Sequence, residues 1–365
     1  MELDGLRGLA ILLVVLCHYI TAVPHGRSHS LGSMAGTAMG LGASGVGLFF
    51  ILSGFLIGGI LIDSKQSANY FRTFYLRRIC RIFPLYYLWI ALFAVLATTI
   101  TGWQLHVPYW AYLTFVQNYF MQRTDIEAIW FGALWSLGVE EQFYLLAPPL
   151  IRKRKPQGLW NILIGILVLS FVLRLVLLTQ LREASPYYWG LDAATYWTPS
   201  RAGDLAVGIL AAVAWRTESM KQWIGAHLAY FKYTVAICAA ALVATLPWLV
   251  RPTYFFSAAF GIPIFSILYL SMLIIALMDK QSVIATACRG RALRELGKIS
   301  YCVYIIHVAV NWAVHKYVLG ELPRFDSWRS IGVTALAVVV TLMIAEMSWF
   351  LYERPLIRRG HKYSY

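Results

Sequence analysis

An arginine and a histidine lie eleven residues apart in the first apolar stretch of the chain, RGLAILLVVLCH, which runs from Arg7 to His18. An α-helix rises about 1.5 Å and turns about 100° per residue, so eleven residues advance about 16 Å and bring both side chains to one face. A guanidinium binds phosphate or carboxylate, and an imidazole transfers protons near neutral pH. The spacing therefore indicates an anion site and a proton-transfer site on one helix face. The alternative for His18 is a structural hydrogen bond between helices.

The stretch FYLRRICRIFPLYY carries a second group of arginines. Arg78 and Arg81 are three residues apart, so on a short helix entering the membrane they project from one face. A pair of planar guanidinium groups suits a phosphate. Anchoring of a cytoplasmic loop by its positive charge is the alternative explanation for both residues.

The stretch WSLGVEEQFYLLAP places two adjacent carboxylates, Glu140 and Glu141, inside an apolar span. Ser136, Glu140 and Tyr144 follow one another at four-residue intervals, which aligns them on one side of a helix. A polar stripe of this kind is rarely tolerated against lipid. We therefore expect it to face the interior of the protein.

The polar residues inside the spans can be grouped by depth: counted from the cytoplasmic ends of their spans, His18 and Arg174 lie about 20 Å deep. Glu140 and Asp204 lie about 8 Å or less from the opposite ends. In a hydrocarbon core about 30 Å thick, these groups belong to one layer near the outer face, which is a candidate proton-handling site. Arg174 is best interpreted as the counter-ion of a buried carboxylate, and His307 suits a structural hydrogen bond equally well. The candidate substrate-binding residues are Ser136, Tyr144, Arg174, Arg201, Asp204 and His307.

The composition is typical of a polytopic membrane protein, because hydrophobic residues make up 59% of the 365 residues and charged residues only 13%. The net charge of +14 is explained by basic loops retained in the cytoplasm and by anionic lipid, so nucleic acid is not an expected partner. The cysteines form no CxxC or metal-ligand pattern, and we expect neither a metal site nor redox chemistry from them. They are Cys17, Cys80, Cys238, Cys288 and Cys302.

The apolar pattern predicts an all-α protein with about ten membrane spans. Most of the 31 lysine and arginine residues fall in alternate loops, which places both termini in the cytoplasm of a protein of the inner, or plasma, membrane. We expect one membrane-embedded domain over residues 1–365, without a cleaved signal peptide or a fused soluble domain. The predicted spans are Leu6 to Val23, Gly42 to Ile62, Pro84 to Ile100, Trp135 to Ile151, Leu159 to Leu181, Ser200 to Trp215, Tyr233 to Val250, Phe255 to Met278, Ile299 to Leu319 and Ile331 to Tyr352.

At these residues the sequence resembles the integral membrane O-acyltransferases of acyltransferase family 3. Members of that family O-acetylate lipopolysaccharide O-antigen, peptidoglycan, other glycans and small hydroxylated metabolites. Seven motifs carry the resemblance, in order along nearly the whole chain: LDGLRGLAILLVVLCH, GVGLFFILSGFLI, YLRRICRIFPLYYL, WSLGVEEQFYL, SRAGDLAVGILAAVA, LGKISYCVYIIH and YERP.

The resemblance implies a catalytic role for His18, in the span that also carries Arg7, and binding of acyl-CoA on the cytoplasmic side by Arg78 and Arg81. One position departs from the family pattern, because Gly47 in GVGLFF stands where members often have an acidic residue. The function of that acid must here be absent or supplied by another group. We expect no counterpart of the hydrolase-like domain that is fused to some members, in which case the membrane unit would reach the acceptor itself or pass the acyl group to a partner.

These residues predict an acyl-CoA-dependent O-acyltransferase that uses acetyl-CoA or another acyl-CoA as donor. Arg7, Arg78 and Arg81 would hold the donor's phosphates at the cytoplasmic mouth. His18 would act as general base on a hydroxyl, or accept the acyl group transiently. Glu140 or Glu141 would orient the imidazole, with Glu140 narrowly preferred for its polar stripe.

The predicted acceptor is a hydroxyl of a carbohydrate or small metabolite on the extracytoplasmic side. A polysaccharide exporter or a proton-coupled transporter is the alternative, since buried histidine, glutamate and arginine also form proton relays. No inverted repeat is evident in the pattern of spans, and a transporter gives Arg78 and Arg81 no specific task. The sequence leaves the acyl group and the acceptor open and is compatible with an oligomer.

Overall fold

A computed structural model describes residues 1–21, 41–96, 107–121, 128–180, 189–249 and 257–365. These residues are almost entirely helical and contain no β-strand, which confirms the predicted all-α class. Short 3-10 segments lie at Leu41–Ser44, Gln117–Tyr119 and Gly132–Leu134, and π-helical turns at Ser257–Gly261 and Trp349–Glu353. The α-helices are α1 (Glu2–Thr21), α2 (Gly45–Asp63), α3 (Tyr70–Leu96), α4 (Tyr109–Leu113), α5 (Ala128–Phe131), α6 (Trp135–Lys153), α7 (Pro156–Gln180), α8 (Trp189–Tyr196), α9 (Thr198–Arg216), α10 (Glu218–Ala226), α11 (Leu228–Leu249), α12 (Ile262–Met278), α13 (Val283–Arg289), α14 (Arg291–Leu319), α15 (Trp328–Ser348) and α16 (Arg354–Gly360).

Seven helical segments of the described residues are long and apolar enough to cross a bilayer, and α10 with α11, bent by 64°, forms an eighth if the pair is one span. The polytopic architecture is therefore confirmed. The sequence predicted ten spans. The two that are not counted among the seven or eight are the fourth and the sixth, and helices α6 and α9 lie at their positions. Each is 19 residues long but more polar than the seven, since they carry Glu140 and Glu141, and Arg201 and Asp204.

Helix α3 differs from the expected arrangement, because it begins at Tyr70 and continues without a break through Pro84 to Leu96. The motif with Arg78 and Arg81 is thus part of the long helix and not of a separate short one. Proline lacks an amide hydrogen, so a proline inside a helix frees a carbonyl one turn earlier. Other carbonyls beside the proline accept hydrogen bonds from tyrosine hydroxyl groups: Tyr301 donates to Ile82 O at 2.8 Å, and Tyr352 donates to Pro84 O at 3.3 Å.

Close backbone contacts hold α1 against α14 and α2 against α9. A Cβ atom on Gly8 would overlap the carbonyl oxygen of Leu293, and one on Gly54 would overlap that of Leu205. Small residues allow helices to approach in this way within membranes, where no hydrophobic effect drives them together. The two contacts fix the positions of α1 and α2, and these helices carry part of the candidate site.

Candidate active site

A polar cavity of about 80 Å³ lies between α1, α2, α3, α6 and α14. It brings together six residues that the sequence singled out, from three separate motifs. We call it the arginine cavity. The site residues predicted from the sequence that line it are Arg7, Arg78, Arg81, Ser136, Glu140 and Tyr144.

Three guanidinium groups meet at the arginine cavity. Arg7 extends from α1 and its Nη1 lies 3.8 Å from Oδ1 of Asp4, a weak and partly exposed ion pair. Arg78 and Arg81 come from α3, and within the described residues neither has a carboxylate within ion-pair distance. The Arg78 guanidinium carbon lies 5.9 Å from the centroid of the Tyr144 ring. Clustered cations repel each other, so the arrangement is suited to an anionic ligand such as a phosphate.

Glu140 is held in the wall of the arginine cavity by α2 and by its own helix. Ser53 donates through Oγ to Oε1 of Glu140 at 2.8 Å, and the Tyr144 hydroxyl donates to Oε2 at 3.4 Å. These bonds hold the carboxylate at the cavity. Among the described residues, His18 is not a hydrogen-bond partner of Glu140. Glu141 extends from the same turn of α6, and its buried Oε1 has no hydrogen-bond partner among the described residues.

Among the described residues the imidazole of His18 pairs with a second imidazole, and the structure does not bring the predicted carboxylate partner, Glu140 or Glu141, into hydrogen-bond contact with it. Nδ1 of His18 lies 3.1 Å from Nε2 of His307 and 3.0 Å from the carbonyl oxygen of Val14. Nδ1 of His307 lies 2.8 Å from the carbonyl oxygen of Tyr304 and 3.1 Å from that of Val303. Among the described residues no carboxylate bonds either ring, and Glu140 is bonded to Ser53 and Tyr144.

The hydrogen-bond partners assign the tautomers of both rings. Carbonyl oxygens only accept hydrogen bonds, so the hydrogen of each neutral ring belongs on Nδ1. Nε2 of His307 then accepts from Nδ1–H of His18, and the remaining nitrogen of His18, Nε2, carries a lone pair. This is the state of an imidazole that accepts a proton from a substrate.

Helix α14 connects the arginine cavity to the histidine pair. Tyr304 lines the cavity and donates to Ala133 O at 2.9 Å, and its ring centroid lies 5.9 Å from that of His307. Ser300, Tyr304 and His307 lie at i, i+4 and i+7 in the motif SYCVYIIH, so they share one helix face. The sequence analysis predicted a role for His307 but not for Ser300 or Tyr304. The spacing of the three residues on one helix face is the signal that identifies the other two.

The remaining predicted residues form a separate cluster around the start of α9. Nη2 of Arg201 lies 2.8 Å from Oδ2 of Asp204, and both side chains are almost fully buried. Arg174 donates to the carbonyl oxygen of Ser200 at 2.5 Å. Within the described residues it has no carboxylate at ion-pair distance, and its predicted role as the counter-ion of a buried carboxylate stays a prediction. The groups of the predicted single layer are thus divided among the arginine cavity, the histidine pair and this cluster.

The cluster also explains the glycine in GVGLFF. A Cβ atom on Gly47 would lie 3.6 Å from Nη2 of Arg201, so an acidic side chain at this position would point toward that guanidinium. In this chain the carboxylate beside Arg201 is supplied by Asp204, one turn along α9. The guanidinium carbon of Arg201 lies 5.3 Å from the centroid of the Phe50 ring and 5.9 Å from that of the Trp135 ring. The guanidinium group therefore contacts two aromatic rings as well as the carboxylate of Asp204.

Comparisons with known proteins identify relatives that are named O-acetyltransferases. The O-acetyltransferase OatA of Staphylococcus aureus (strain NCTC 8325 / PS 47) is 26% identical over 387 residues, which cover 99% of this chain and 57% of that protein. The peptidoglycan O-acetyltransferase OatA of Listeria monocytogenes serovar 1/2a is 25% identical over 392 residues, which cover 98% of this chain and 56% of that protein. The chain thus spans little more than half the length of these relatives. No solved structure matches it.

The family comparison covers the whole region that carries the candidate site. A family model described as an acyltransferase domain matches residues 2–346, from the start of α1 to near the end of α15. This range includes the arginine cavity, the histidine pair and the Arg201 cluster. The chain is therefore a member of acyltransferase family 3, as its seven motifs indicated.

Proposed function

We propose that this protein is a membrane O-acetyltransferase that moves an acetyl group from cytoplasmic acetyl-CoA to a hydroxyl of an extracytoplasmic glycan. The observation that carries the proposal is the arrangement along α1, where Arg7 lines the arginine cavity and His18 joins the histidine pair eleven residues further on. Eleven helical residues span about 16 Å. A donor with phosphates at one end and a thioester at the other end of an extended arm fits this separation.

The arginine cavity would hold the phosphates of the donor. Arg7, Arg78 and Arg81 supply three permanently charged groups from two helices, and each can form paired hydrogen bonds with phosphate oxygens. The positive-inside pattern of the loops supports a cytoplasmic position for this cavity. Free acetyl-CoA in the cytoplasm would then enter from the side at which the arginines lie.

His18 would act as the general base at the thioester end. Its Nε2 removes the proton from the acceptor hydroxyl as the hydroxyl oxygen attacks the thioester carbonyl. The carbon–sulfur bond then breaks, and the leaving thiolate takes the proton back from the imidazolium. The products are an O-acetyl ester and free CoA, and the histidine returns to its neutral form.

His307 would position the base and stabilise its charged form. By accepting from Nδ1–H of His18, it keeps the lone pair on Nε2 and accepts a stronger hydrogen bond once His18 becomes an imidazolium. Glu140, bonded to Ser53, would instead balance the charge of the arginine cavity. These assignments replace the carboxylate–histidine pair of the sequence interpretation with a histidine–histidine pair.

The names of the relatives support an O-acetyl product, and that of the Listeria protein specifies peptidoglycan. A glycan hydroxyl outside the cytoplasm is therefore the proposed acceptor, and the inner membrane is the proposed location. Muropeptides or short cell-wall oligosaccharides are the first acceptors to test.

The direct test is incubation of the purified protein in lipid vesicles with acetyl-labelled acetyl-CoA and a glycan acceptor. We expect CoA to be released and the label to appear as an alkali-labile ester on the acceptor. A transporter would release no CoA and form no ester, and that result would overturn the proposal. The His18→Ala variant serves as the matched negative control.

A further inference from the structure

A second cavity, of about 520 Å³, lies mainly between α9, α10, α11 and α12, and Phe55 of α2 and Trp160 of α7 complete its wall. Of the described residues that line it, only Ser219 is polar; Trp215, Met220, Phe231, Leu270 and Ile274 are typical of the others. It shares no lining residue with the arginine cavity. The volume is within the range of ligand sites in proteins, about 300 to 1,000 Å³, but Ser219 is the one described lining residue with a hydroxyl, and no described lining residue carries a charge. The occupant must therefore be almost wholly apolar.

Helix α10 covers one side of this apolar cavity. It is nine residues long, follows α9 after a single residue and meets α11 at 64°. Ile224 is buried and lines the cavity, whereas Trp223 lines its rim with 55% of its surface exposed. A short helix with one apolar face and an exposed tryptophan is typical of a segment that lies at the membrane interface. The cavity thus opens at the level where lipid headgroups meet their acyl chains.

A lysine lies at the rim of the cavity. The ammonium group of Lys221 is 5.2 Å from the centroid of the Trp215 ring, and that ring is part of the cavity wall. The neighbouring cations are already paired, since Arg216 binds Asp63 at 2.6 Å and Lys232 binds Asp279 at 2.7 Å. Lys221 has no carboxylate within ion-pair distance among the described residues. It is therefore the basic side chain here that can bind an added anion.

We propose that the apolar cavity binds one acyl chain of an anionic phospholipid, with the headgroup phosphate against Lys221. The apolar wall suits the chain, the opening beside α10 lies at the depth of the headgroup, and the charge at the rim matches a phosphate. Anionic lipids are concentrated in the cytoplasmic leaflet, on which the positive loop residues place this end of α9. The site is independent of acetyl transfer, because the donor's phosphates are bound at a cavity with different walls.

The experiment uses the full chain in phosphatidylcholine vesicles that contain a small fraction of phosphatidylglycerol with a photoactivatable group on one acyl chain. After irradiation, mass spectrometry locates the labelled peptides. We expect the label to concentrate on lining peptides of α9 to α12 and to fall severalfold in Ala214→Phe, which fills the cavity. Ser219→Trp should act in the same way from the rim, where the side chain is exposed and has room for added bulk. Leu169→Phe, on the exposed side of α7, is the control for added bulk.

The charge is tested separately by the preference for phosphatidylglycerol over phosphatidylcholine. Lys221→Gln should reduce this preference about fivefold, which is the effect of about 1 kcal/mol per basic residue near a membrane surface. Lys155→Gln, at an exposed loop position, should leave it unchanged. Equal labelling of the wild type and both filled variants would overturn the site. Displacement of the label by palmitoyl-CoA but not by unlabelled phosphatidylglycerol would overturn the choice of lipid.

Discussion

Nε2 of His307 lies 3.1 Å from Nδ1 of His18, and this hydrogen bond joins α14 to α1 inside the helical bundle. Because Nδ1 of His307 faces backbone carbonyls, the bond has one direction, from His18 to His307. The free nitrogen of His18 is then the basic one. The chemistry proposed for this protein depends on that direction.

The first prediction concerns His18 itself. His18→Ala should abolish acetyl transfer, since no other side chain in the proposed mechanism accepts the proton, and should leave binding of acetyl-CoA unchanged because the arginines are intact. Transfer to a glycan acceptor and equilibrium binding of acetyl-CoA are measured on the same preparation. His361→Ala, at an exposed position, is the matched control. Full activity of the His18 variant would remove it from the mechanism.

The second prediction separates the positioning role of His307 from a structural one. His307→Leu removes the acceptor of the His18 bond and should lower kcat about tenfold to a hundredfold, since a hydrogen bond to a charged group contributes about 1.5 to 3 kcal/mol. The KM for acetyl-CoA should not change. His307→Gln, which retains an acceptor oxygen, should recover most of kcat. A glutamine variant as inactive as the leucine variant would contradict the positioning role.

The third prediction concerns the arginine cavity. Arg78→Ala and Arg81→Ala should each weaken binding of acetyl-CoA by about 1.5 to 3 kcal/mol, the contribution of a charged hydrogen bond. Arg72→Ala lies on an exposed face of the same helix and is the control for lost positive charge. Isothermal titration of all three variants is the measurement. If all three lower the affinity equally, the arginines act only through net charge.

The fourth prediction concerns the buried ion pair between Arg201 and Asp204. Asp204→Asn leaves the arginine without its carboxylate and should destabilise the protein by about 3 to 5 kcal/mol, as removal of one partner of a buried pair does. A Gly47→Asp change in that background places a carboxylate toward the same guanidinium and should restore part of the loss. Thermal unfolding in detergent compares the variants. No recovery in the double variant would refute the shared role of positions 47 and 204.

The sequence predicted the class of fold and the first helix well, for physical reasons. Hydrocarbon excludes unpaired backbone groups, so long apolar stretches must form helices. The fixed period of a helix was also enough to relate Arg7 to His18. The helical period relates residues within one helix but does not determine which helices pack together. His307 lies 289 residues from His18 along the chain. For that reason the contact between His18 and His307 could not be predicted from the sequence.

The polar residues of α6 and α9 show the same limit. Depth along a span could be counted, and it placed Glu140 and Asp204 in one layer. The direction in which each helix turns its polar face depends on packing, and α2 separates the two groups by bonding Glu140 through Ser53 while Gly47 faces Arg201. The count of spans was similarly affected, since α6 and α9 reach the length of a span but carry these charges within it.

In the proposed mechanism the acetyl group crosses the membrane between the arginine cavity and the histidine pair. Sealed vesicles that contain the protein in one known orientation, with a glycan acceptor on both sides, test this transfer. Labelled acetyl-CoA supplied only at the face with Arg7, Arg78 and Arg81 should give O-acetylated glycan on the opposite side, and donor supplied at the other face should give none. Product confined to the side of the donor would contradict transfer across the membrane.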